Sequence, residues 1–193
     1  IKTENNTAYY DFGRINTEIL YDNLMNKFVW GNIKDPKVNI DHFHDNTIAV
    51  MKYRNTFLRL AEQLMQEAAT ETRVMGDTII NEITDSTKIQ EAIRVLDKSL
   101  EEIPLYQVPA DFFLLNYISI YYAAGEQEKG NDLAWALALD NAQTLRYIGS
   151  LSPNRRKALE NDERRSMQAL QMLVDMARRN GENAFAQEIQ DMV

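Results

Sequence analysis

The sequence predicts an all-α fold in which helix hairpins stack into a short right-handed superhelix, and three observations carry that expectation. From Asp45 onward, apolar residues recur with a period close to 3.6, and no alternating pattern persists for more than a few residues. Several stretches repeat one spacing of large and small residues, the mark of an architecture built from similar units. Hydrophobic residues make up 45% of the chain against only 7 glycines and 4 prolines, enough for a core and too few breakers for a strand-and-turn fold.

Taken in order, residues 1–42 are the least periodic and are predicted to be a lead-in segment packed on the body. They hold the polar opening Thr3 to Thr7, one helix from about Ile15 to Phe28, and the turn-rich Gly31 to Pro36. Residues 43–193 are predicted to be the helical-repeat domain, giving one domain overall. Its first helix places Phe57, Leu60, Ala61 and Leu64 on one face, the tetratricopeptide-like spacing, and the partner helix carries Ala92, Leu96, Ser99 and Pro104. A second hairpin runs through Leu114, Tyr117, Ile118, Tyr121, Gly125, Gly130, Ala134 and Leu137. A third runs through Leu170, Leu173, Val174, Ala177, Gly181 and Ala186. Positions three and four apart share a helix face, and small residues let two helices approach closely. The glycines after Tyr121 and Ala177 suit left-handed helix caps.

Capping signals place the boundaries. Thr87 with Gln90 predicts a capping box for the helix ending near Glu102. Ser152 before Pro153 predicts an N-cap with proline at the first helical position. The helix that follows is expected to run to Asn180, with Leu159, Met167, Leu170, Leu173 and Met176 inward, as a brace for the helix from Trp135 to Ile148. One segment breaks the repeat: 28 steps separate Leu64 from Ala92, where a standard hairpin of this kind holds about nine. The insertion, about residues 68–87, is expected to be helical through Val74, Met75, Ile79, Ile80 and Ile83, with a break at Gly76-Asp77.

Charge and composition narrow the function classes. A net charge of −8 repels a phosphate backbone, and the basic group Arg155, Arg156, Lys157, Arg164 and Arg165 is interleaved with Glu160, Asp162 and Glu163, so no nucleic-acid partner is expected. The absence of cysteine removes disulfides, thiol nucleophiles and Cys-ligated zinc. No run approaches the roughly 20 apolar residues of a transmembrane helix. A start at Ile1, without an initiator Met, suggests an excised or processed chain. Asp41-His42-Phe43-His44-Asp45 holds both histidines, but on a helix they point apart, and a helix start capped by Asp41 or Asp45 is the simpler role. No metal, no cofactor and no catalytic residue are therefore expected. The carboxylate pairs Glu101-Glu102 and Glu160 with Glu163 are ordinary for an acidic helix surface.

Aromatics crowd the start: Tyr9, Tyr10, Phe12, Tyr21, Phe28 and Trp30. They either plug one end of the superhelix or form an aromatic groove edge for a partner. Tyr21, Trp30, Asn32 and His42 are the candidate interaction residues.

The run from Tyr21 to Asn32, Asp35-Pro36, Asp41-His42-Phe43 and the Arg54 to Leu64 helix, with Leu151-Ser152-Pro153 and Leu170 to Gln187, resembles one particular region of a known family. This is the C-terminal region of a bacterial family of large multi-pass membrane proteins, long of unknown function, whose membrane half is similar to protein O-mannosyltransferases and related lipid-linked-sugar glycosyltransferases. The resemblance implies the tail of an inner-membrane protein, placed on the periplasmic side of the cell envelope, with the catalytic acidic loop in the absent membrane half. It also implies a short Gly/Lys turn between Leu64 and Ala92, from which the insertion departs. The expected function is a non-catalytic interaction or positioning module whose partner is another protein or the membrane half of its own chain. The alternatives are an accessory sugar- or peptide-binding part of that enzyme and an independent metal-dependent hydrolase centred on His42 and His44.

Overall fold

The computed structural model describes residues 15–41, 52–75, 78–83 and 85–192. Its body is helical. The described part of the lead-in holds α1, Thr17–Asp22, where the Asn16 side chain accepts the Ile19 N–H at 3.0 Å. It continues as one π-helical turn, Asn23–Lys27, and leaves in extended conformation at Phe28. The expected helix from Ile15 to Phe28 is thus present, with a widened last turn.

Helix α2, Asn55–Ala68, buries Phe57, Leu58, Leu60, Ala61, Leu64 and Ala68. It packs along α3, Ser86–Glu102, which buries Ala92, Ile93, Val95, Leu96 and Ser99. Each large apolar side chain so covered contributes about 1.5–3 kcal/mol. Helices α4, Leu114–Ala123, and α5, Gln127–Ser150, form a second pair. A third consists of α7, Glu160–Arg179, and α8, Asn183–Gln190, with α7 also lying along α5. One continuous core joins the three pairs and includes Leu24 and Trp30 of the lead-in.

The second and third pairs turn by the same device. Gly125 has φ +80° and Gly181 φ +83°. The Glu126 N–H reaches the Tyr121 carbonyl and the Glu182 N–H the Ala177 carbonyl, each at 2.9 Å, while the two glycine N–H groups bond Tyr122 and Arg178 at 3.1 Å. This is the two-bond Schellman closure, for which the left-handed glycine is required. The small residues expected between the helices are covered. Ala92 and Ala186 are fully buried, and a Cβ added to Gly130 would lie 2.8 Å from the Tyr122 ring.

Four expectations need correction. The insertion is not helical: β1, Ala69–Met75, and β2, Thr78–Ile83, pair antiparallel with Val74 opposite Ile79 and Arg73 opposite Ile80. Its apolar spacing fits a helical face, but Thr70, Thr72, Val74, Thr78, Ile79, Ile80 and Ile83 are all β-branched, and that composition favours extended backbone. Asp85, not Thr87, caps α3, accepting the Thr87 N–H at 2.9 Å and the Lys88 N–H at 3.3 Å. Ser152 is the N-cap of the next helix as expected, but that helix is broken at Leu159 into α6, Pro153–Ala158, and α7. Finally, Met167 is 57% exposed, whereas Leu170, Leu173 and Met176 pack inward.

Candidate interaction surface

The residues chosen from the lead-in divide between packing and surface. Trp30 is 9% exposed and packs against Phe57 with ring centroids 4.9 Å apart, against Tyr53 at 5.4 Å and against Phe28 at 6.0 Å. It is a core side chain and offers no exposed anchor. Tyr21 is half-buried against the core. Asn32 is exposed, with a left-handed φ of 58° in the turn that follows Trp30. The exposed large apolar side chains among the described lead-in residues are Ile19, Phe28 and Val29. His42, with His44 and Asp45, lies outside the described residues, as do Tyr9, Tyr10 and Phe12.

Sequence reasoning missed the polar anchor of the structure. Arg54, at the start of α2, is 0% exposed. Its Nη2 donates to the carbonyls of Ile103 at 3.1 Å and Val108 at 2.8 Å, and its Nη1 to that of Pro109 at 2.8 Å and to the Asp111 carboxylate. A planar fork of donors is what allows one side chain to gather three carbonyls and a carboxylate from one loop. The Arg54 carbonyl in turn accepts the Tyr117 hydroxyl at 3.0 Å, which also meets Ser99 Oγ at 2.8 Å. Burial pushes the Tyr117 phenol well above its usual range and keeps it protonated. An Arg at the head of an apolar helix, followed within about sixty residues by two prolines and an Asp, is the only trace of this in the sequence.

A second latch holds the lead-in to the same loop. Lys34 Nζ lies 2.9 Å from Glu101 and 3.0 Å from Glu102, and Lys98 reaches Glu102 at 2.7 Å. Partial burial acts to raise the Glu102 pKa, but hydrogen bonds and charge from Lys98 and Lys34 outweigh it and hold the carboxyl below its usual range. Tyr106 donates to the Lys34 carbonyl at 2.6 Å. Gln107 Nε2 faces three carbonyls, those of Ile33, Asp35 and Val38, at 3.0, 2.7 and 3.0 Å.

The loop so fixed, residues 103–113, forms one wall of a groove along α5. Three open cavities adjoin because neighbours share lining residues. One, of about 360 Å³, has Asp97, Leu105, Asp132 and Ala136 in its wall. The next, about 330 Å³, repeats Leu105 and Ala136 and adds Ala110, Leu139 and Asp140. The third, about 300 Å³, repeats Ala110 and Asp140 and adds Asp111, Phe112 and Arg165. Leu139 is 40% and Phe112 62% exposed on this surface. Asp97 is taken by Lys129 at 2.6 Å and by the Tyr121 hydroxyl at 2.8 Å. Partial burial raises the Asp140 pKa, and among the described residues no cation pairs with it.

What these elements define is a scaffold of packed helices with a fastened loop and an open groove. Among the described residues, no three His, Asp or Glu side chains converge as a metal-ligand group, and no helix is long and apolar enough to cross a membrane. Comparison with known proteins finds no matching family model, no similar curated protein and no similar solved structure.

Proposed function

We propose that this chain is the non-catalytic interaction or positioning module of a membrane-embedded glycosyltransferase, with its hairpins wound as a short tetratricopeptide-like right-handed superhelix. It holds acceptor or assembly partners beside the membrane half, on the periplasmic side of the inner membrane. The Tyr21 to Asn32 string supports the parentage. The observation that carries the interaction role is the α5 groove, an open channel walled by a loop that Arg54 holds in place. Hairpin stacks present extended surfaces of this kind for other chains. The polar groups that resembled chemistry serve fastening: Glu101 and Glu102 hold Lys34, and Glu163 pairs with Arg156.

Two observations test this reading. The gene upstream of Ile1 is expected to encode several hydrophobic spans, and a complete reading frame without them refutes the membrane assignment. A photocrosslinking residue at Leu139, in membranes of cells carrying the full-length protein, is expected to give a discrete adduct with the chain's own membrane half or with a glycosylated acceptor. The same probe at Asn32 asks whether the lead-in turn shares that surface. No adduct from Leu139 refutes the use of the groove.

A further inference from the structure

We infer that the α5 groove is built for an extended peptide carrying two basic side chains four residues apart with an apolar side chain midway between them. This rests on the interaction reading above and assigns the chemistry of its partner. Of the carboxylates along the groove, Asp97 and Asp111 are already neutralised, by Lys129 and Arg54 respectively. Asp132 and Asp140 are exposed, line the groove and have no ion-pair partner among the described residues. They are eight residues apart on one helix, which at about 1.5 Å per residue is about 12 Å.

An extended peptide advances about 3.3 Å per residue and returns to the same side every second residue. Its positions i and i+4 therefore face one wall about 13 Å apart, close to the axial spacing of Asp132 and Asp140, and flexible basic side chains take up the remaining turn of the helix between them, while position i+2 falls midway. There the groove offers Leu105, Ala136 and Leu139, an apolar stretch lining a cavity of about 330 Å³. Asp140 strengthens the case, because partial burial without a counter-charge already disfavours its ionised form, and an arriving cation relieves that cost. Arg165 lines the same end as Asp140 and opposes an incoming cation. Its removal should therefore tighten binding, the reverse of what loss of a favourable contact would do.

The test is fluorescence anisotropy on the 193-residue chain with a labelled peptide containing Lys-Ser-Leu-Ser-Lys, a second containing Glu-Ser-Leu-Ser-Glu, and a third with the two lysines adjacent. The first is expected to bind best, with an affinity that falls as salt rises. The Asp132→Asn, Asp140→Asn double variant should weaken it about 10-fold, as a few-fold per exposed pair implies. Arg165→Ala should strengthen it about 2-fold to 3-fold on the same basis. These residues are exposed, so an unchanged circular dichroism spectrum and melting temperature are expected to accompany the shifts. Equal binding of the lysine and glutamate peptides, indifference to the double variant, or no binding of any peptide overturns the assignment. If Leu139 still crosslinks in membranes when the peptides fail, the module reading stands and only the basic-peptide chemistry falls.

Discussion

Replacing Arg54 by Met tests whether the loop that walls the groove is held by one side chain. Met keeps most of the aliphatic volume and removes the guanidinium. The carbonyls of Ile103, Val108 and Pro109 then lose their donor, and Asp111 loses its cation. Breaking a buried pair from one side costs about 3–5 kcal/mol. Here the Asp111 side chain is 15% exposed and recovers some hydration, which places the expected loss near the lower bound, about 3 kcal/mol. That is a large share of the stability of an ordinary domain, about 5–15 kcal/mol. Arg54→Lys keeps the charge but not the planar fork, so it should recover only part of the loss. Adding Asp111→Asn to Arg54→Met removes the stranded charge and should restore about 1 kcal/mol or more. Urea unfolding gives the energies, and hydrogen exchange should show the amides of residues 103–113 losing protection before those of α2. A change under about 0.5 kcal/mol in Arg54→Met, the range of an ordinary surface substitution, would refute the anchoring role.

Three further outcomes are expected. Trp30→Ala should lower stability by about 3–5 kcal/mol, since the ring is buried against Phe57 and Tyr53; a melting temperature close to wild type would return Trp30 to the list of exposed anchors. Two glycines of α5 should respond with opposite signs to Ala. Gly149→Ala meets nothing within 4 Å and should gain about 0.5–1 kcal/mol, whereas the Gly130 Cβ would press the Tyr122 ring at 2.8 Å, costing about 1–3 kcal/mol and reversing that gain. Thermal denaturation of the two variants side by side reads the difference. The Glu102 carboxyl has a folded-state pKa below its unfolded value, so its contribution is present above the unfolded pKa of about 4.3 and is lost as pH falls through the folded pKa. Glu102→Gln should thus melt below wild type at pH 7 and converge with it in the acid range; a gap that persists at low pH would contradict the ion-pair account.

The sequence made the helix pairs legible because each rests on local rules. Phe57, Leu60 and Leu64 repeat at the helical period, and Gly125 and Gly181 stand where a left-handed cap is needed. The β-ribbon is hidden in the sequence because Val74, Met75, Ile79, Ile80 and Ile83 satisfy a helical spacing, and periodicity alone does not separate short apolar runs. The capping-box pattern favours Thr87 because it requires Ser or Thr, while the single Asp85 accepts two N–H groups without it. The lead-in aromatics marked an important segment, but burial is a property of the assembled core, so Trp30 and Val29 could not be told apart as plug and surface. Neither the Arg54 cluster nor the groove had a local signature, since each joins residues of distant elements.

The latch between the lead-in and the loop also constrains the order in which this chain can fold. Lys34 and Glu101 are 67 positions apart, and Gln107 and Ile33 are 74. The Schellman turns, by contrast, close over a handful of residues. Closing a long loop costs more entropy than closing a short one and returns nothing until both ends are in place. On a ribosome the lead-in emerges first, and Trp30 can meet Tyr53 and Phe57 early, yet the turn from Ile33 to Val38 has nothing to fasten to until residues 101–107 have been made. The turn that follows Trp30 is therefore secured later than the ring that precedes it.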